Sequence, residues 1–187
     1  MENKFVSRAG EKLEYALKEF QIDVKNLVVA DFGSSTGGFV DCLLKNGAKK
    51  VYSVDTADNV LSDEIKQNEK VQQIVGNAMH IKLEEEVDLI TIDVAWTRQR
   101  LIIPNARRNL KENGYIISLI KPQYEAEKRW LTKGVVEDKF LGKTLDILRA
   151  NLKKIRNLEI IKIIKSPLKG SKGKNVEYLM LCRKISE

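Results

Sequence analysis

Four charged side chains border apolar segments, where a soluble chain places few charges: Lys12, Asp93, Lys121 and Glu177. Two ammonium and two carboxylate groups gathered at one point can accept, hold and return a single proton, which is what a poor hydroxyl nucleophile needs. Each also has a plainer reading. Lys12 suits a solvated helix face, Lys121 a strand end from which it snorkels, and Asp93 a turn that it caps. Glu177 resists such a reading most, because it is the only charge between Val176 and Cys182 and a carboxylate among apolar residues needs a partner.

The elements that would position these charges follow from the apolar pattern. Asp93 closes the run 87–92 and Lys121 the run 115–120, while runs 27–30 and 51–54 end at Asp31 and Asp55. Short apolar runs rich in β-branched residues are buried parallel strands. Helical stretches are expected between them at 37–46, 60–68, 98–112 and 139–155. This alternation predicts right-handed crossovers and an α/β fold, a mostly parallel sheet with helices on both faces. Ligands bind outside the carboxyl ends of such strands, and those ends carry Asp31, Asp55, Asp93 and Lys121. Segments 158–165 and 175–183 read as two more strands, and a hairpin between them makes one antiparallel, which brings Glu177 to the same rim. Within residues 1–22, Leu13, Ala16, Leu17 and Phe20 follow helical spacing, with Ser7 as the expected N-cap and Lys12 flanking the stripe.

The loop Asp31-Phe32-Gly33-Ser34-Ser35-Thr36-Gly37-Gly38-Phe39 lets the backbone turn tightly and approach a ligand. Asp55, one strand later, is placed to accept hydrogen bonds from both hydroxyls of an adenosine ribose. The spacing departs from G-x-G-x-x-G, and no Lys-Ser or Lys-Thr follows, so nicotinamide and P-loop readings recede. S-adenosyl-L-methionine is the cofactor favoured.

Length and composition set the remaining bounds. The 187 residues, 43% of them hydrophobic, suit a single domain over 1–187 without repeats or linkers. No secretory signal or membrane span is read, so a cytoplasmic protein is expected. Cys42 and Cys182 have neither metal nor redox spacing and are expected as buried thiols, and the lone histidine, His80, excludes a zinc site needing two histidines. No metal is expected.

The chain resembles the methyltransferase domain of the TlyA family, related to the FtsJ ribosomal RNA 2′-O-methyltransferases. The likeness rests on Val6-Ser7-Arg8-Ala9-Gly10-Glu11-Lys12-Leu13, on Asp31 through Phe39 with Asp41-Cys42-Leu43, and on Gly47-Ala48-Lys49-Lys50-Val51-Tyr52. It continues through Ile92-Asp93-Val94, Lys121-Pro122-Gln123-Tyr124-Glu125, Gly134-Val135-Val136, Ser166-Pro167, Lys169-Gly170 and Asn175-Val176-Glu177-Tyr178. The resemblance implies a seven-stranded class I, Rossmann-like methyltransferase fold with one antiparallel strand. It also implies a catalytic Lys-Asp-Lys-Glu tetrad on Lys12, Asp93, Lys121 and Glu177. The cofactor pocket it implies runs over Asp31, Gly33, Ser34, Ser35, Thr36, Gly37, Gly38 and Phe39, with Asp93 beside it, Asp55 at the ribose and Asn77 and Ala78 at the adenine. The chain departs from the pattern at Ala95-Trp96, where serine and phenylalanine are common, and at Asp58-Asn59-Val60. TlyA-type proteins usually carry an S4 RNA-binding domain, and none precedes Lys4, so a separate RNA-binding partner is one expectation.

Charge points to the substrate. A net +7 and a pI near 9.3 suit a polyanion. The excess clusters at Lys162, Lys165, Lys169, Lys172 and Lys174, at Arg98, Arg100, Arg107 and Arg108, and at Lys128, Arg129 and Lys133 around Trp130. Trp96 reads either as a base-stacking residue or as half-buried packing. The expected function is 2′-O-methylation of ribosomal RNA. A non-catalytic module on the same fold and a methyltransferase for a non-RNA substrate stand as alternatives.

Overall fold

Branched aliphatic runs build the sheet, and their alternation decides which side chains meet which helices. A computed structural model describes residues 4–170 and 175–186. Its main sheet joins β1 (Val28–Phe32), β2 (Lys50–Asp55), β3 (Val71–Val75), β4 (Val87–Ile92), β5 (Leu110–Ile120), β8 (Leu158–Lys165) and β9 (Tyr178–Lys184) in the order β3-β2-β1-β4-β5-β9-β8. Only β9 runs against the others, pairing antiparallel with both β5 and β8. Successive strand residues point to opposite faces. Val29, Leu89, Ile117 and Leu119 therefore pack with Leu13, Phe39 and Leu43, carried on α1 (Ala9–Phe20) and α2 (Gly38–Lys45). Ala30, Ile90, Ile92 and Ile116 pack on the other face with Ile102 and Ile103 of α4 (Gln99–Arg108) and Leu148 and Leu152 of α6 (Asp138–Leu152). Each fully buried valine, leucine, isoleucine or phenylalanine among them contributes roughly 1.5–3 kcal/mol. Two short helices, α3 (Asp63–Lys66) and α5 (Pro122–Glu125), a 3₁₀ turn (Lys128–Trp130) and a small hairpin of β6 (Leu131–Thr132) and β7 (Val135–Val136) complete the chain.

The expected α/β architecture is thus found, with differences that have physical causes. Strand β3 went unread because it lies at the sheet edge, only partly buried, with Gln72 and Gln73 at its centre. The helix expected over 98–112 ends at Arg108, since the Asn109 side chain turns back to bond Ile81 O and Asn105 O, and β5 begins directly after it. The helix expected over 60–68 shrinks to Asp63–Lys66. Arg8, not Ser7, occupies the N-cap of α1. Glu177 precedes β9 instead of lying within it, and its carbonyl accepts the Ser166 N–H at 2.9 Å. Cys42 and Cys182 are free and buried, as expected, and burial pushes both thiols up to about 12.

Candidate active site

Parallel strands that end together leave their last residues on one rim, and a cleft of about 450 Å³ opens there. Its wall is formed by Asp31, by Gly33 to Thr36 with Gly38 and Phe39, by Asp55, by Gly76 to Met79, by Asp93 to Thr97 and by Lys121. The glycines of this loop leave no room for a side chain. Gly33 has φ +89° and an added Cβ would stand 2.8 Å from Asp93 O, while a Cβ on Gly38 would stand 2.1 Å from Ser7 Oγ. Gly37, expected in the pocket, lies behind the wall instead, where a Cβ would meet Leu61 and Ile65 at 3.2 Å.

The carboxylates of this wall are held differently. Both Asp55 oxygens accept backbone N–H groups, from Ser35 at 2.8 Å and Ala57 at 3.0 Å, which fixes the loop and leaves each oxygen able to accept again. Asp31 is fully buried, and its Oδ1 accepts the Thr91 hydroxyl at 2.6 Å. Among the described residues its Oδ2 has no hydrogen-bond partner and is buried. Burial raises the Asp31 carboxyl to about 7; the Thr91 hydrogen bond opposes this, while the neighbouring Asp93 and Asp55 carboxylates add to it.

The four charges singled out in the sequence form two ion pairs. Lys121 Nζ lies 2.6 Å from Asp93 Oδ1 and also donates to Val94 O at 3.2 Å, so this pair lines the cleft. Lys12 Nζ lies 2.6 Å from Glu177 Oε2 in a pair whose two residues are 7% and 3% exposed. That second pair is no part of the cleft wall. Ile120 of β5 stands opposite Tyr178 of β9, so Lys121 and Glu177 continue the same pairing past the strand ends. The rim therefore carries both pairs, one open to the cleft and one buried beside it.

Asn77 and Ala78 line the cleft, Asn77 accepting the Met79 N–H and Ala78 O receiving Asn105 Nδ2. Sequence reasoning missed Ser7 and Ala9, which also line it; their small size beside Gly10 was the available signal. Trp96 is 82% exposed with φ +57° at the cleft wall, so the packing alternative for it is set aside. The arginines of α4 divide: Arg98 and Arg100 lie at its rim end, Arg107 and Arg108 at the far end. Lys165 and Lys169 follow β8 to the rim, whereas Lys172 and Lys174 lie outside the described residues. Among the described residues there is no group of three or more His, Cys, Asp or Glu suited to a metal, and no helix long and apolar enough to cross a membrane.

The cleft fits a cationic, adenosine-bearing ligand. The unmatched Asp31 oxygen suits the positive charge on S-adenosyl-L-methionine, the glycine loop admits close backbone approach, and Asp55 retains acceptor capacity for a ribose. Fold and cleft define a Rossmann-like methyltransferase dependent on S-adenosyl-L-methionine. The sequence pattern of the FtsJ-like methyltransferase family matches residues 5–184, and the chain belongs to that family. It is 43% identical over 192 residues to Hemolysin A of Brachyspira hyodysenteriae, covering 94% of this chain and 75% of the relative. It is 37% identical over 183 residues to the 23S rRNA (cytidine-2′-O)-methyltransferase TlyA of Campylobacter jejuni, covering 93% and 69%. A solved structure of a Streptococcus thermophilus protein described as a hemolysin superposes with TM-score 0.94 at 31% identity, covering 100% of this chain and 70% of the other. Across its curated relatives the chain spans from 34% to 75% of their length.

Proposed function

We propose that this protein methylates a ribose 2′-hydroxyl of ribosomal RNA. The observation that carries the reading is the Lys121–Asp93 ion pair, held at 2.6 Å in the wall of the same cleft that the glycine loop and Asp55 form. S-adenosyl-L-methionine, when bound, supplies an electrophilic methyl on a positively charged sulfur. A ribose hydroxyl attacks well only when aligned with that methyl and relieved of its proton. Lys121, as the neutral amine, accepts the hydroxyl proton as the oxygen attacks the methyl, and the ammonium so formed is paired by the Asp93 carboxylate 2.6 Å away. Lys12 and Glu177, paired beside the cleft, order the rim. Asp31 and Asp55 hold the cationic and ribose parts of the donor, with Asn77 and Ala78 beside the adenine.

Substrate choice is supported by the rim. Trp96 offers an exposed ring at the cleft, and Arg98, Arg100, Lys128, Arg129 and Lys133 are all exposed on segments that follow β4 and β5. Aromatic faces stack on unpaired bases and basic side chains hold phosphates. The Campylobacter relative named as a cytidine-2′-O-methyltransferase supports the same assignment, which puts the work where ribosomes are, in the cytoplasm.

The decisive experiment is transfer of labelled methyl to total ribosomal RNA, followed by alkaline hydrolysis. A 2′-O-methyl blocks cleavage at its own linkage, so label should appear in alkali-resistant dinucleotides and vanish with Lys121→Ala. Label in mononucleotides would show base methylation and defeat the proposal.

A further inference from the structure

Glu125 and Gln99 are buried polar residues, 8% and 3% exposed, that neither line the cleft nor belong to the two ion pairs. Their hydrogen bonds join two loops. Glu125 Oε1 accepts the backbone N–H of Gln99, the first residue of α4, at 2.6 Å. Gln99 Oε1 accepts the Ser118 hydroxyl at 2.6 Å, and Gln99 Nε2 donates to Leu119 O at 3.3 Å. Arg98 Nε donates to Tyr124 O at 3.1 Å. One side of this seam is the segment from Asp93 to α4; the other is the end of β5 and the turn that follows Lys121. These are the two segments whose first charged residues form the ion pair of the cleft.

A carboxylate is costly to bury, and α4 has no acidic residue in its own first turn to meet its N-terminal N–H groups. Glu125 supplies that acceptor from another element. Burial raises its carboxyl above the ordinary glutamate range, while the Gln99 N–H and the nearby Arg98 and Arg100 pull it back. A displacement of about 1 Å between reacting groups can cost on the order of 100-fold in rate.

We propose that Glu125 is a positioning residue which, through Gln99, clips the loop after β4 to the turn after β5 and so sets the separation of Asp93 and Lys121. The inference rests on the methyl-transfer reading for its kinetic consequence, though not for its structural one. Lys121 acylation by a small amine-reactive ester, read by mass spectrometry, reports the clip without any substrate. Glu125→Ala should raise the Lys121 acylation rate about tenfold and lower kcat by about 10–100-fold at unchanged donor affinity. Glu125→Gln keeps an acceptor for Gln99 and should stay within about threefold of the parent in both. Ser118→Ala, a smaller change that folds more readily, should move Lys121 acylation in the same direction. Unchanged acylation in Glu125→Ala and Ser118→Ala would overturn the proposal whatever the activity. A parent protein inert on RNA whose Lys121 still becomes reactive in these variants would defeat the methyl-transfer reading and leave the clip standing.

Discussion

Lys12 and Glu177, 165 positions apart in the chain, meet in a buried 2.6 Å ion pair that fastens the first helix to the approach of the last strand. A carboxylate deprived of its partner in such a place is left as an uncompensated charge, whereas removing both charges leaves only a packing problem. Lys12→Met should therefore cost about 3–5 kcal/mol of unfolding free energy, and adding Glu177→Leu should recover most of it. Urea denaturation of the two single variants and the double one checks this. Additive losses would mean that the pair is not coupled.

Asp31 makes stability and donor affinity depend on pH in opposite senses. Its carboxyl is raised from 3.8 to about 7 by burial, so the folded apo-protein binds a proton that the unfolded chain releases between those values. The sign follows: this group imposes no penalty below about pH 4, and stability declines as pH rises toward 7, by on the order of 4 kcal/mol in total. Asp31→Asn should remove that slope, which unfolding measured from pH 4 to 8 would detect. A positively charged donor favours ionised Asp31, so S-adenosyl-L-methionine should bind more tightly as pH rises through 7 and release a proton in doing so. Calorimetry in two buffers of different ionisation enthalpy reads that proton directly; equal heats would refute the linkage.

The glycine at the start of α2 should be as important as any charged residue. An added Cβ at Gly38 would stand 2.1 Å from Ser7 Oγ, 3.1 Å from Ala9 Cβ and 3.2 Å from Gly10 N. Ser7 and Ala9 line the cleft, so Gly38→Ala must push that segment away from it. A cost of about 1–3 kcal/mol in donor binding is expected from overpacking. Ser7→Gly in the Gly38→Ala background removes the worst contact and should restore part of the affinity. No rescue would show that the N-terminal segment is not what the methyl group strikes.

How far the sequence discloses this arrangement depends on the kind of signal each part carries. Asp31, Asp55, Asp93 and Lys121 were legible because parallel strands end in phase, so one topological rule puts their last residues together. Glu177 was legible for a different reason, as a lone charge in an apolar run, even though its strand starts three residues later than the pattern suggests, one residue beyond Glu177 itself. The partner choice was not legible: nothing in spacing says that Lys12 takes Glu177 and Lys121 takes Asp93, because both pairings depend on how α1 lies across the rim. Gln99 and Glu125 stayed hidden as well. Their importance lies in contacts between a helix N-terminus and a turn 26 positions away, which leaves no periodic trace.

Salt should separate the contacts that hold RNA from those that hold the donor. Arg98, Lys128 and Arg129 are exposed on segments leading away from the cleft; among the described residues Arg129 is tied to an acidic partner, Glu127, and Arg98 lies near the Glu125 carboxylate. Phosphate contacts release counterions, and each one lost should flatten the log–log dependence of RNA affinity on salt by about 0.7 for a single strand. Replacing all three by alanine should therefore reduce the slope by about 2 and weaken RNA binding at low salt. Donor affinity, which the proposed function assigns to Asp31, Asp55 and the glycine loop, should not change. Trp96→Ala should behave otherwise, lowering turnover on RNA while leaving the salt slope intact, because stacking displaces no counterions. Filter binding of ribosomal RNA across a salt series measures both. An unaltered slope in the triple variant would move the RNA to another face of the molecule.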